Sequence, residues 1–185
     1  LGEKNLLITF HPATLENATA ADQMAELLAA LSPLRDTRLI FTLPNADTDG
    51  RVLIQMVHDF VATHDNARTY TSLGQLRYLS CIAQVDGVVG NSSSGLAEVP
   101  SFRKGTIDIG DRQRGRLRAT SIIHCEPERQ DIARALSTLY SPAFQQSLAD
   151  VDNPYGTGGA SERVVEILKN APLEHLVKKH FHDLT

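Results

Sequence analysis

Asp86-Gly87-Val88-Val89-Gly90-Asn91-Ser92-Ser93-Ser94-Gly95-Leu96-Ala97-Glu98 decides the fold. Its first half is a short apolar run with no polar alternation, as in a strand covered on both faces, and such strands belong to parallel sheets. Its second half is a serine-rich turn that opens a short helix. Moving outward, the same order recurs. Leu6-Leu7-Ile8-Thr9-Phe10 stops at His11-Pro12, and a helix from about Thr19 carries Met24, Leu27, Leu28, Leu31 and Leu34 at three-and-four spacing. Arg38–Leu43 closes at Pro44-Asn45, ahead of a helix with Leu53, Met56, Val57, Phe60 and Val61 on one face. Ala67–Tyr70 is extended. Ser72 and Gln75 have the spacing of a capping box for a helix through Leu73, Leu76, Leu79 and Ile82. Thr106–Ile109 and Ser121–His124 complete the strands. A helix started by Pro127 and packed through Ile132, Ala135, Leu136 and Leu139 follows, then an amphipathic one with Val164, Val165 and Leu168. This alternation predicts an α/β fold: a doubly wound, Rossmann-like parallel sheet with helices on both faces.

The 185 residues are 42% hydrophobic and 22% charged, the balance of one folded domain, here expected over 1–185 with a polar tail at 172–185. The net charge of -4 offers no general attraction for nucleic acid. No apolar run nears the ~20 residues that cross a bilayer, and no basic-then-apolar leader opens the chain. No membrane partner is expected. Cys81 and Cys125 are too few for a disulfide scaffold and read as reduced, part-buried thiols of a cytoplasmic protein. The chain opens at Leu1-Gly2 without Met and enters a core strand within a few residues, so a piece of a longer protein is expected.

Ligands of such sheets gather beyond the carboxyl ends of the strands. There the sequence places His11-Pro12, Asn45-Ala46-Asp47, Thr71-Ser72, Asn91–Gly95 and Gly110-Asp111-Arg112-Gln113. In Gly90–Gly95, backbone N–H groups and serine hydroxyls suit a diphosphate, whereas the plain alternative is an ordinary N-cap. No Gly-Lys-Ser/Thr follows, as a P-loop needs, and the register of a Gly-x-Ser-x-Gly elbow is missing. Gly156-Thr157-Gly158-Gly159 follows no strand and reads as a turn. Glu98 suits a ribose diol or, alternatively, a first-turn acid complementing the helix dipole. Arg103, Lys104, Arg112, Arg114, Arg116 and Arg118 form a basic run whose ordinary meaning is a solvated edge, but Arg112 sits where a guanidinium grips an oxyanion. His11 suits phosphate donation or proton transfer. His175, His180 and His182 lack the i,i+4 face of a zinc helix, and no metal is expected.

Thr9-Phe10-His11-Pro12, Leu43-Pro44-Asn45-Ala46-Asp47, Gly90–Val99 and Ile109–Arg116, in this order, together resemble the hydrolysing UDP-N-acetylglucosamine 2-epimerases, above all the bacterial branch that feeds sialic or legionaminic acid synthesis. The resemblance implies one half, the carboxyl-terminal one, of a two-domain GT-B fold. It implies that UDP is held by His11 and Arg112 near the diphosphate, Ser92 and Ser93 on its oxygens, Asn45 close by and Glu98 on the ribose. His11 is the catalytic candidate. The family's acidic catalytic residues lie in the amino-terminal domain, which would be this chain's partner, in a homo-oligomer needing no cofactor. The implied reaction expels UDP with loss of the C2 proton to give a glycal. Water then adds to release N-acetylmannosamine or a diacetamido relative. A GT-B glycosyltransferase half and a non-catalytic nucleotide-sugar sensor are the alternatives.

Overall fold

Six strands line up in the order β3-β2-β1-β4-β5-β6, every neighbouring pair parallel. They are β1 (Lys4–Thr9), β2 (Thr37–Thr42), β3 (Ala67–Tyr70), β4 (Gly87–Gly90), β5 (Gly105–Ile109) and β6 (Ile122–Cys125). The helices between and after them are α1 (Ala20–Leu31), α2 (Thr48–Ala62), α3 (Gly74–Gln84), the single turn α4 (Ser94–Ala97), α5 (Arg129–Leu139), α6 (Pro142–Ser147) and α7 (Ala160–Asn170). The structure, a computed structural model, describes residues 1–12, 20–45 and 48–172; Thr19, Ala46, Asp47 and the three tail histidines lie outside them. Two compact units divide the chain, Leu1–Tyr155 with the whole sheet and Gly156–Thr185 with α7. Gly156, Gly158 and Gly159 ahead of α7 all have positive φ. Among the described residues no helix is long and apolar enough to cross a membrane.

Alternation along the strands divides the core. Leu6, Ile8, Leu39, Phe41, Val89, Ile107 and Ile109 face α1, α2 and α5, whereas Leu7, Ile40 and Val88 face α3 with Ile82, Val85 and Val99. Both faces of β1, β2 and β4 are therefore buried, which explains their unbroken apolar runs. The predicted stripes of α1 and α2 hold: Met24, Leu27, Leu28 and Leu31 are buried, as are Leu53, Val57 and Phe60.

Three local expectations are corrected. Ser72 does not cap α3 through a box: Leu73 occupies the N-cap without a side-chain bond, and the Ser72 hydroxyl accepts from the Gly74 amide, two residues on rather than three. Leu76 is 80% exposed, because it lies about 120° round the helix from Ile82; Tyr78 and Leu79 pack inward instead. Pro127 precedes α5 rather than opening it, with Glu128 at the N-cap.

Gly90 ends β4 with a φ of +143°, and a Cβ there would collide with the Thr9 carbonyl of β1. No side chain but hydrogen fits, and the two central strands approach closely just where the chain enters the serine turn. Gly95 does the same one layer on: a Cβ would lie 2.7 Å from the Thr106 methyl, while the Thr106 hydroxyl donates to the Gly95 carbonyl at 2.8 Å.

Candidate functional site

In this strand order the connections leave β1 and β4 in opposite directions, so a crevice opens beyond their carboxyl ends. Asn91, the first residue after β4, is 1% exposed and bridges that crevice with its side chain. Its Oδ1 accepts from the His11 amide and its Nδ2 donates to the His11 carbonyl, each at 2.8 Å. The Asn91 carbonyl in turn accepts from Arg112 Nη1 at 3.0 Å and from Gln113 Nε2 at 2.7 Å. One buried residue thus ties together the chain leaving β1, β4 and β5.

Beside this knot is a cleft of about 480 Å³ with Thr9, His11, Ser92, Ser94 and Glu98 on its lining, closed by Tyr78 and other residues of the β3–α3 segment. Tyr78 and Ser94 share a hydroxyl–hydroxyl bond of 2.6 Å, and Ser94 donates to Ser92 Oγ at 3.1 Å. The Thr9 and Thr42 hydroxyls pair at 2.7 Å. Burial pushes the Tyr78 phenol above its ordinary pKa, hydrogen bonding with Ser94 opposes that shift, and the nearby Glu98 carboxylate adds to it. Tyr78 is therefore a proton-bearing donor at neutral pH.

The serine turn is tighter than an ordinary helix start. The amides of Gly95, Leu96, Ala97 and Glu98 are bonded to the carbonyls of Ser92, Ser93 and Ser94. Ser93 occupies the N-cap position of α4 but makes no capping bond with its side chain. The Ser93 side chain therefore does not cap α4, and the amides of Gly95–Glu98, bonded within the turn, are not the free donors that the sequence suggests. Because α4 is a single turn, Glu98 stands at its C-cap, not in a first turn beside the positive end of the dipole. It is also the N-cap of the 3₁₀ turn Val99–Phe102, where its side chain makes no capping bond, and it lies in the cleft wall.

Of the residues that the sequence places at the strand ends, His11, Thr71, Ser72, Ser92 and Ser94 line the cleft, as does Glu98. Arg112 joins them through the Asn91 carbonyl. Ser93 is half-buried at the N-cap, and Asn45 is exposed in the loop leaving β2, two residues beyond Leu43; neither is among the cleft-lining residues. The basic run divides. Arg118 pairs with the buried Asp108 carboxylate at 2.9 Å, with His124 Nδ1 3.5 Å from the same oxygen, while Arg114 pairs with Asp111 on the surface. The sequence analysis does not single out Tyr78 or the clamp made by Asn91. A phenol four residues before the buried Ile82 is the signal that would have found the first: an aromatic with a polar tip on an inward helical face needs a hydrogen-bond partner.

Residues 1–169 match the family model described as UDP-N-acetylglucosamine 2-epimerase. The chain is 36% identical, over its whole length, to the Campylobacter jejuni protein named GDP/UDP-N,N'-diacetylbacillosamine 2-epimerase (hydrolyzing), and covers 48% of it. It is 36% identical over 91% of its length to the Escherichia coli polysialic acid biosynthesis protein P7, of which it covers 43%. Among solved structures, the S. aureus MnaA–UDP co-structure aligns over 91% of the chain with a TM-score of 0.70 at 20% identity, and the Methanocaldococcus jannaschii UDP-GlcNAc 2-epimerase in complex with UDP-GlcNAc and UDP over 90% with 0.71 at 16%. Each is covered to 45% of its own length, and the shared fold is the Rossmann-like half of a GT-B architecture. The chain spans about half the length of the curated relatives it matches. With a family match across nearly all of its residues, this chain belongs to the UDP-N-acetylglucosamine 2-epimerase family.

Proposed function

We propose that this chain is the UDP-binding half of a cytoplasmic hydrolysing 2-epimerase that converts UDP-N-acetylglucosamine, or a diacetamido analogue, into UDP and a free sugar inverted at C2. The carrying observation is the knot at Asn91, which draws His11, Ser92 and Arg112 to the crevice between β1 and β4. The name of the Campylobacter relative supports a diacetamido substrate, and that of the E. coli relative supports a place in sialic acid synthesis.

The chemistry explains why these residue types gather. The C2 proton of the sugar is not acidic, since no carbonyl adjoins it. Departure of the diphosphate leads the reaction, and the cation left at C1 acidifies C2. Groups that hold a diphosphate more tightly as its charge grows lower that barrier. Arg112 supplies a planar double donor, Ser92 a hydroxyl, and His11 an imidazole able to donate to the leaving oxygen or carry a proton. Glu98 accepts from the ribose hydroxyls, with Ser93 and Asn45 completing the nucleotide contacts once it is bound. The carboxylates that move the C2 proton belong to the amino-terminal half, and the intact enzyme is a homo-oligomer.

Calorimetry and a product assay test this reading. The intact protein is expected to bind UDP saturably and to release UDP and free sugar without an acceptor, while this chain alone binds UDP without turnover. Absence of UDP binding by the intact protein overturns the reading, and turnover only when an acceptor is supplied assigns the fold to a glycosyltransferase instead.

A further inference from the structure

Three hydroxyls in the cleft wall form a chain whose direction is fixed by what each group can donate. Ser94 has one hydrogen, and it points to Ser92 Oγ, 3.1 Å away. The Tyr78–Ser94 contact of 2.6 Å must then be filled by the phenolic hydrogen, because Ser94 has only lone pairs left for it. Ser92, receiving a bond from Ser94, keeps its own hydrogen for the cleft that Ser92, Ser94 and Tyr78 all line. The three dipoles run head to tail, and each bond polarises the next.

We propose that Tyr78 and Ser94 are positioning residues for an anion held by Ser92: the relay Tyr78→Ser94→Ser92 aims the Ser92 hydrogen into the cleft and strengthens it as a donor to a phosphate oxygen. This rests on the proposed UDP-binding role of the cleft and deepens it by naming what orients its serine. The phenol suits the task because burial keeps it protonated well past neutrality, so the relay does not break within the physiological range. Neither side chain needs to touch the phosphate. Without the relay, the Ser92 hydroxyl turns among several acceptors, and the loss falls on the phosphate end of the ligand alone.

The test compares UDP and uridine on the intact protein by calorimetry, with the thermal midpoint recorded for each variant. Tyr78→Phe and Ser94→Ala are each expected to weaken UDP by about tenfold while leaving uridine within about twofold. The double variant is expected to lose no more than either single one, because both remove the same relay. Ser94→Thr, which keeps the hydroxyl, should restore UDP affinity. Equal losses for UDP and uridine, additive losses, or unchanged UDP affinity in Tyr78→Phe would overturn the relay while leaving UDP binding itself intact. Failure of the unsubstituted protein to bind UDP overturns the underlying functional reading instead, and the two failures are told apart by that control.

Discussion

Asn91 and Arg112 play different parts, and their substitutions separate structure from binding. Asn91→Ala removes the acceptor and donor that satisfy both backbone groups of His11. Leaving buried polar groups unpaired costs about 1–3 kcal/mol each, so urea unfolding should show a loss of about 2–6 kcal/mol for the two together, with weaker UDP binding. Stability within about 0.5 kcal/mol of the parent would mean that the clamp does not hold β1 to β4. Arg112 is exposed and gives up one bond to a carbonyl that Gln113 also serves. Arg112→Ala should therefore leave the unfolding midpoint nearly unchanged and weaken UDP by ~1.5–3 kcal/mol, the range of a charged hydrogen-bonded partner. Lysine should recover only part, since it lacks the planar fork. Unaltered affinity would return Arg112 to the solvated edge. His11, Ser92, Glu98 and Arg112 were legible because strand ends can be located from apolar runs and polar residues at those ends share one rim. The Asn91 clamp was not legible. Its partners are the backbone of a residue eighty positions away, which no local pattern encodes.

Among the elements, the strands and the longer helices follow from periodicity, because burial on both faces or along one stripe leaves a regular mark in the sequence. The exceptions share a cause. In α3, Leu76 fits an apolar spacing by composition, but Tyr78 takes the inward place one turn before Ile82 and turns Leu76 to solvent. Leu76→Gln should shift stability by no more than about 0.5 kcal/mol, whereas Ile82→Ala should cost about 2–5 kcal/mol in chemical denaturation. Comparable losses at both positions would contradict the packing described for α3. The serine turn opens the short helix that the sequence predicts, Ser94–Ala97. Its amides close within four residues, and a 3₁₀ turn at Val99–Phe102, which no periodicity in the sequence marks, leads on toward β5.

For the molecule, the buried ionisable groups set a limit on the alkaline side. Burial, with the charges of Asp131, Asp108 and Glu126 adding to it, pushes the Cys125 thiol up to about 12. Burial and the Asp86 carboxylate likewise raise the Tyr140 phenol well above its ordinary range. In the unfolded chain these protons leave at about pH 8.5 and 10. The folded state holds its protons more tightly, so the stability they contribute is complete below about pH 8.5 and is lost as pH rises above it. Thermal melts should show a midpoint steady from pH 7 to 8 and falling beyond 9, and Cys125→Ala should lessen the fall. Alkylation of Cys125 in the native protein should likewise run orders of magnitude slower than in urea. A midpoint flat to pH 10.5 would contradict the burial of these two groups.

In the proposed function, chain segments far apart in sequence make one ledge for a diphosphate beyond β1 and β4. The most direct measurement is a crystal structure of the protein with UDP bound. Phosphate oxygens are expected within hydrogen-bonding distance of the Ser92 hydroxyl and the Arg112 guanidinium, beside the His11 imidazole, with Glu98 on the ribose. UDP seated elsewhere on the sheet, or in this cleft with its phosphates turned away from Ser92 and Arg112, would contradict it.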